Sequence, residues 1–138
     1  MIETYVNEIM NTDVETIGKN RTAVEASKKL YENNIGSLLV VEGGDVVGII
    51  TESDVVRLIA ERKDVSDIEV SEFMSSPVIS VSSSVKVEQA AKKMKENEIK
   101  KLAVVDDGEL MGIITTTDMS NYLPRYHLES SSRGGRAD

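Results

Sequence analysis

The sequence predicts an α+β fold assembled from two copies of one βαββα unit, and three observations carry that prediction. The stretch Gly48-Ile49-Ile50-Thr51-Glu52-Ser53-Asp54 returns as Gly112-Ile113-Ile114-Thr115-Thr116-Thr117-Asp118, with both glycines and both aspartates 64 positions apart. Such self-similarity at a fixed period marks an internal repeat. Gly43-Gly44 and Asp107-Gly108 each stand between two apolar runs, and these pairs permit positive φ at both centres of a tight β-hairpin. Finally, residues 21–33 and 85–97 have helical periodicity, with Ala23, Ala26, Ser27 and Leu30 on one face of the first and Val87, Ala90, Ala91 and Met94 on its counterpart.

The remaining elements follow in order. Residues 5–10 place apolar side chains at 5, 6, 9 and 10, the spacing of a short amphipathic helix, and residues 70–74 answer it. Residues 13–17 read as a short strand by alternation and β-branching. Their counterpart, 77–81, begins with a proline, which is tolerated at a strand's first residue. After each long helix comes a hairpin, 37–41 with 46–50 in the first half and 101–105 with 110–114 in the second. Each half ends in a helix. In the first of these, Val55, Val56, Leu58 and Ile59 occupy more than one face, so the helix needs cover on more than one side, which a second copy of the protein can supply. The register holds without a gap from Val6/Val70 to Ile59/Leu123, with identities at Met10/Met74, Ala26/Ala90, Lys28/Lys92, Asn33/Asn97, Ile35/Ile99 and Gly44/Gly108.

Each signature carries its own chemistry. Its glycine lets another group approach the backbone, its Ile-Ile pair reads as a buried strand, and its Thr-x-x-Asp can open a helix. Thr51 caps the free N–H groups of the next turn and Asp54 reaches back, a capping box worth about 1 kcal/mol. A strand end, free backbone donors and a carboxylate thus converge at one helix start, which suits a phosphate or a sugar hydroxyl.

Composition narrows the function classes. In 138 residues there is room for one domain or two small halves, and either half alone would struggle to bury a sufficient core, so the halves are expected to pack together. A formal net charge of −8 argues against nucleic acid, because neutralising phosphates needs a basic face. The longest apolar runs fall far short of the roughly 20 residues a membrane-spanning helix needs, and Met1-Ile2-Glu3 lacks the basic start of a signal peptide. The absence of cysteine removes disulfides, thiolate nucleophiles and zinc–thiolate sites together, and fits a reducing, cytoplasmic setting. His127, the one histidine, stands in a polar stretch near the C-terminus. With no Walker loop and no dinucleotide fingerprint, the expectation is a protein without catalysis, metal or required cofactor.

The order of elements, the 64-residue period and the doubled Gly-h-h-Thr-x-x-Asp signature (h apolar) resemble a tandem pair of CBS domains, the regulatory Bateman module named after cystathionine β-synthase, over roughly residues 5–123. The resemblance implies CBS domain 1 at 5–61, CBS domain 2 at 68–123, and a C-terminal tail at 124–138 that is flexible by composition. It implies two repeats packed about a pseudo-twofold axis, a homodimer of such pairs, and two clefts able to hold an adenosine-containing regulatory ligand: AMP, ADP, ATP or S-adenosylmethionine. In the family each cleft takes the Thr and Asp of one repeat and the first strand of the other. Carried over residue by residue, one cleft would use Thr51 near the phosphate, Asp54 on the ribose hydroxyls, Pro77, Val78 and Ile79 against the adenine, and Lys100 and Lys101 on the phosphates. The other would use Thr115, Asp118 and the strand around Asp13, Val14 and Glu15.

The two clefts are not equal. Gly36-Ser37 occupy the positions that match Lys100-Lys101, and Glu15, a poor neighbour for an apolar base, matches Ile79. The asymmetry favours the cleft of Asp54. Two alternative readings are an oligomerisation scaffold with unoccupied clefts, and a detached regulatory part of an enzyme assembly of the inosine monophosphate dehydrogenase type. The regulated partner, an enzyme or a transporter, is not named by the sequence.

Overall fold

A computed structural model describes residues 3–62 and 64–122, so the tail at 124–138, with His127, lies outside the described residues. In chain order the elements are α1 (Val6–Ile9), β1 (Thr16–Gly18), α2 (Ala23–Asn33), β2 (Ser37–Glu42), β3 (Asp45–Thr51), α3 (Glu52–Glu61), a 3-10 turn (Val70–Glu72), β4 (Ser80–Val81), α4 (Val87–Asn97), β5 (Lys101–Asp106) and β6 (Glu109–Thr115). Helix α5 begins at residue 116. There are two three-stranded sheets of the same plan, β1-β2-β3 and β4-β5-β6. In each, the short first strand pairs in parallel with the next, Thr16 opposite Leu39 in one and Ser80 opposite Ala103 in the other. This is the predicted repeat.

The hairpins form where turn chemistry demands. Gly43 and Gly44 have φ of 59° and 90°, and Asp107 and Gly108 have 51° and 80°, so both central residues are left-handed, as the twist of the flanking strands requires. Helix α2 starts at the N-cap Thr22, whose Oγ1 accepts from Glu25 N at 3.1 Å while Glu25 Oε1 accepts from Thr22 N at 2.9 Å, a reciprocal capping box. Its buried face is Ala23, Ala26 and Leu30, and that of α4 is Val87, Ala90 and Met94.

The chain divides into two compact units. One comprises residues 13–79 with the hairpin tip 107–110, and the other comprises residues up to 12, 80–106 and the described residues from 111. In the first unit, Ile17, Ala26, Leu30, Leu38, Val40, Ile50, Val55 and Val70 form one buried cluster. The second buries Val6, Val87, Ala90, Met94, Leu102, Val104 and Ile114. Val70 and Val6 are the telling members. The leading segment of each repeat is built into the body of the other repeat: Val70 N donates to Arg21 O (2.7 Å) and Ala23 N to Ile68 O (2.8 Å), while Val6 N donates to Val85 O (2.9 Å) and Val87 N to Thr4 O (2.9 Å). Each unit therefore needs chain from both repeats to close its core.

The exchanged segments reach the signature glycines. A Cβ at Gly48 would stand 2.4 Å from Met74 Sδ and 3.1 Å from Ser75 O, and one at Gly112 would stand 2.6 Å from Asn11 O and 3.2 Å from Met10 Sδ. At those points the segments pair with the strands: Ile49 exchanges backbone bonds with Ser75 (3.1 and 2.9 Å) and Ile113 with Asn11 (2.9 and 2.8 Å). Close approach, chiefly of the Met74 side chain at Gly48 and of the Asn11 carbonyl at Gly112, and not φ, is what favours glycine there.

Two strand expectations need correction. The strand predicted at 13–17 begins only at Thr16, and the one predicted at 77–81 begins only at Ser80. Pro77 is not a strand's first residue; the Ser76–Pro77 peptide is cis and residues 77–79 are irregular. Proline has no N–H to give to a ladder. Ahead of the predicted ranges, Ser75 and Asn11 bridge β3 and β6, and within the first range the ladder reaches back one residue from Thr16, Leu39 N donating to Glu15 O at 3.2 Å.

One position shows the repeats doing the same job with different chemistry. Lys19 meets Glu42 at 2.8 Å in the first unit. At the matching position of the second, Asp106 accepts from Ser83 Oγ at 2.5 Å, Ser83 N at 2.9 Å and Ser82 Oγ at 3.0 Å. Those donors hold the Asp106 carboxyl below the usual range.

Candidate functional site

Both signatures fold alike because their local chemistry is the same. Thr51 closes β3 and N-caps α3: Thr51 N donates to Asp54 Oδ2 at 2.8 Å, and Asp54 N to Thr51 Oγ1 at 3.3 Å. Thr115 closes β6 in the same way, with Thr115 N on Asp118 Oδ2 at 2.9 Å and Asp118 N on Thr115 Oγ1 at 3.1 Å. The two aspartates differ in their second oxygen. Asp54 Oδ1 pairs with Arg57 Nη2 at 3.4 Å, whereas Asp118 Oδ1 has no partner among the described residues, Asn121 standing where the first repeat has Arg57. Asp54, 9% exposed, is the one buried charged side chain among the described residues.

The other predicted residues are distributed as follows. Thr51, Asp54, Pro77, Val78 and Ile79 belong to the first unit, with Asp13, Val14 and Glu15; Thr115, Asp118, Lys100 and Lys101 belong to the second. Pro77 is exposed, and Val78 and Ile79 are half-buried. Lys100 is exposed and Lys101 partly buried at the start of β5, and Lys100 O accepts from Thr116 N at 2.9 Å, as Gly36 O does from Glu52 N at 3.1 Å. Each strand start is thereby tied to the helix start behind its own signature.

Two features lay beyond the reading of motifs. Arg57 on Asp54 is one; its spacing, three residues along a helix, was the available signal. The other is a pair of lysines, 64 positions apart, that each bond a strand carbonyl: Lys29 Nζ donates to Thr16 O and Lys93 Nζ to Ser80 O, both at 2.6 Å. Glu15 stands 3.7 Å from Lys29, while Lys93 forms no ion pair among the described residues. A shallow depression in the first unit, lined by Gly18, Lys19, Arg21, Glu25 and Glu42, includes none of the predicted site residues, and its cations are already neutralised by Lys19–Glu42 and Arg21–Glu25. No group of three or more His, Cys, Asp or Glu among the described residues could hold a metal ion, and none of the described helices is long and apolar enough to cross a membrane.

A doubled unit of two short parallel pairings, two hairpins and two Thr-x-x-Asp helix starts defines a tandem-repeat α+β module, and comparison with known proteins gives it a family. The CBS domain profile matches residues 6–61 and 70–125. The chain belongs to the CBS domain family, and it carries the domain twice. It is 38% identical over 122 residues to an uncharacterized protein of Methanopyrus kandleri, covering 86% of this chain and 62% of that one, so it spans under two thirds of that relative's length. It is 33% identical over 116 residues to the CBS domain-containing protein YhcV of Bacillus subtilis, covering 83% of this chain and 82% of that protein. Among solved structures, the CBS domain pair of protein MJ0100 in complex with 5′-methylthioadenosine and S-adenosyl-L-methionine superposes with a TM-score of 0.82 at 31% identity, over 91% of this chain and 99% of that one.

Proposed function

We propose that this protein is a non-catalytic regulatory module that binds an adenosine-containing small molecule. The observation that carries the reading is the ligand pair, 5′-methylthioadenosine and S-adenosyl-L-methionine, in the similar MJ0100 structure. The site chemistry is compatible with it. A carboxylate accepts two hydrogen bonds from vicinal hydroxyls, and an apolar segment with free backbone polar groups suits the edge and face of a base. The proposed ligand residues are Thr51 and Asp54 for phosphate and ribose, Pro77, Val78 and Ile79 for adenine, and Lys100 and Lys101 for phosphates. Val14, Glu15, Thr115 and Asp118 form the second, less favoured set.

A ligand that binds only the folded state stabilises it by mass action, about 2.7 kcal/mol at 100 times its dissociation constant. Thermal unfolding in the presence of millimolar AMP, ADP, ATP, S-adenosylmethionine and NAD is therefore expected to show a rise in Tm of at least about 5 °C for one of them. A flat response across the panel means the chain binds none of these, and the module is a scaffold.

The proposal includes a homodimer. On α3, Val55 and Leu58 face inward, but Val56 and Ile59 remain 66% and 57% exposed, an apolar outer face on the helix where the sequence called for a second cover. Light scattering at micromolar concentration is expected to give twice the 15.1 kDa chain mass. A single species at the chain mass would show that α3 stays uncovered.

A further inference from the structure

The two repeats place a lysine identically and then treat its charge differently. Lys29 and Lys93 each spend one of three ammonium donors on the carbonyl that opens the short parallel strand, Thr16 O and Ser80 O. In the first unit the residue before that carbonyl is Glu15, whose carboxylate lies 3.7 Å from Lys29 and balances it. At the matching place the second repeat has Ile79. None of the ion pairs among the described residues includes Lys93, Lys100 or Lys101, although Glu88 and Glu96 lie on the same helix as Lys93 and Glu98 caps it. Lys93 is partly buried, spends one donor on Ser80 O, and enters no ion pair among the described residues.

Its neighbours along the sheet have the same sign. Ser80 opposes Ala103 in the parallel β4–β5 pair, so the carbonyl held by Lys93 is level with a residue two places beyond Lys101, about 7 Å along the strand. Three lysines thus belong to the starts of β4 and β5 within one unit, Lys93 through the carbonyl it holds and Lys100 and Lys101 by position in the chain. The corresponding residues of the first repeat, Lys29 with Glu15, Gly36 and Ser37, sum to no charge. In a chain of net charge −8, three lysines that enter no ion pair among the described residues, set against the Glu98 cap of α4, leave a local surplus of positive charge.

We propose that Lys93 is a ligand-binding residue, and that with Lys100 and Lys101 it selects a nucleoside di- or triphosphate over a cationic sulfonium nucleoside. The selection rests on the adenosyl reading above for the nucleoside part and on the cluster alone for the charge. Each phosphate oxygen set offers acceptors to ammonium donors that the protein leaves open, whereas the sulfonium of S-adenosylmethionine meets three like charges.

Titration calorimetry tests this with ATP, AMP, S-adenosylmethionine and inorganic tripolyphosphate on the wild-type chain and on Lys93→Gln, Lys93→Arg and Lys29→Gln. ATP is expected to bind most tightly and S-adenosylmethionine most weakly. Lys93→Gln is expected to lose roughly tenfold in ATP affinity, with Lys93→Arg recovering most of it. Lys29→Gln removes the same strand-carbonyl bond in the other unit and is expected to leave ATP affinity within about twofold, which separates charge recognition from a packing role. Lys93-dependent binding of tripolyphosphate without any nucleotide binding would overturn the adenosyl reading and leave the anion site standing. Nucleotide binding that is indifferent to Lys93→Gln, or tightest for S-adenosylmethionine, overturns the anion site and leaves the adenosyl reading. Absence of binding by every probe overturns both.

Discussion

Gly112→Ala is expected to destabilise the fold by about 3 kcal/mol, more than any other single-methyl addition to the signatures. The added Cβ would stand 2.6 Å from Asn11 O, and that oxygen is not free to retreat. It accepts from Ile113 N at 2.9 Å while Asn11 N donates to Ile113 O at 2.8 Å, so backing away stretches both bonds that fix the exchanged segment. Gly48→Ala meets a softer obstacle. Its nearest neighbours are Met74 Sδ at 2.4 Å and Met74 Cγ at 2.9 Å, with backbone, Ser75 O, only at 3.1 Å. Methionine has three rotatable bonds and can be displaced, so the expected loss is about 1–2 kcal/mol. In urea unfolding, adding Met74→Ala to Gly48→Ala is then expected to recover about 1 kcal/mol relative to the sum of the single changes, because the clash and the side chain that makes it disappear together. If Gly48→Ala and Gly112→Ala cost the same and the double variant is simply additive, close approach is not what these glycines serve.

What was legible in the sequence is what is decided locally. Gly43-Gly44 and Asp107-Gly108 fix their turns within two residues, and Thr51/Asp54 and Thr115/Asp118 satisfy their capping boxes within four. The repeat period then carries each local reading from one half to the other. Partner choice was not legible. Apolar periodicity places Val6 and Val70 in a core without saying whose, and both enter the body of the opposite repeat. The same blindness lengthened β1 and β4: the residues before Thr16 and Ser80 alternate correctly, yet the paired register starts at Thr16 and Ser80, with Glu15 O accepting from Leu39 N just ahead of β1. In the candidate site the residue types were readable but their pairings were not. Nothing in Thr-x-x-Asp distinguishes an aspartate whose outer oxygen meets Arg57 from one whose outer oxygen is open, and the Lys29/Lys93 identity acquires meaning only once Glu15 is seen beside one of the two.

The aspartates provide the sharpest test of the proposed ligand set. Asp54→Ala and Asp118→Ala each remove a helix-start carboxylate and leave one strand-end N–H, of Thr51 or Thr115, without its acceptor. A purely structural role therefore predicts similar losses of stability, about 0.5–1 kcal/mol each. Freeing Arg57, whose side chain is 61% exposed, adds little, since water replaces its partner. Binding should separate the two variants. If the ribose of the bound nucleotide rests on Asp54, its loss removes a charged acceptor from a buried position and is expected to cost about 1.5–3 kcal/mol of affinity, roughly ten- to hundredfold. Asp118→Ala, in the set that includes Glu15 rather than Ile79, is expected to leave affinity for the same nucleotide nearly unchanged. Calorimetric titration of both folded variants reads the difference directly, and Asp54→Asn, which keeps the size and loses the charge, should resemble Asp54→Ala in binding while retaining more of its stability. Equal weakening by both alanine variants would mean that Ile79 and the lysines do not rank the two sets. Weakening by Asp118→Ala alone would place the ligand on the aspartate whose second oxygen is open, and the ranking drawn from the sequence would be reversed.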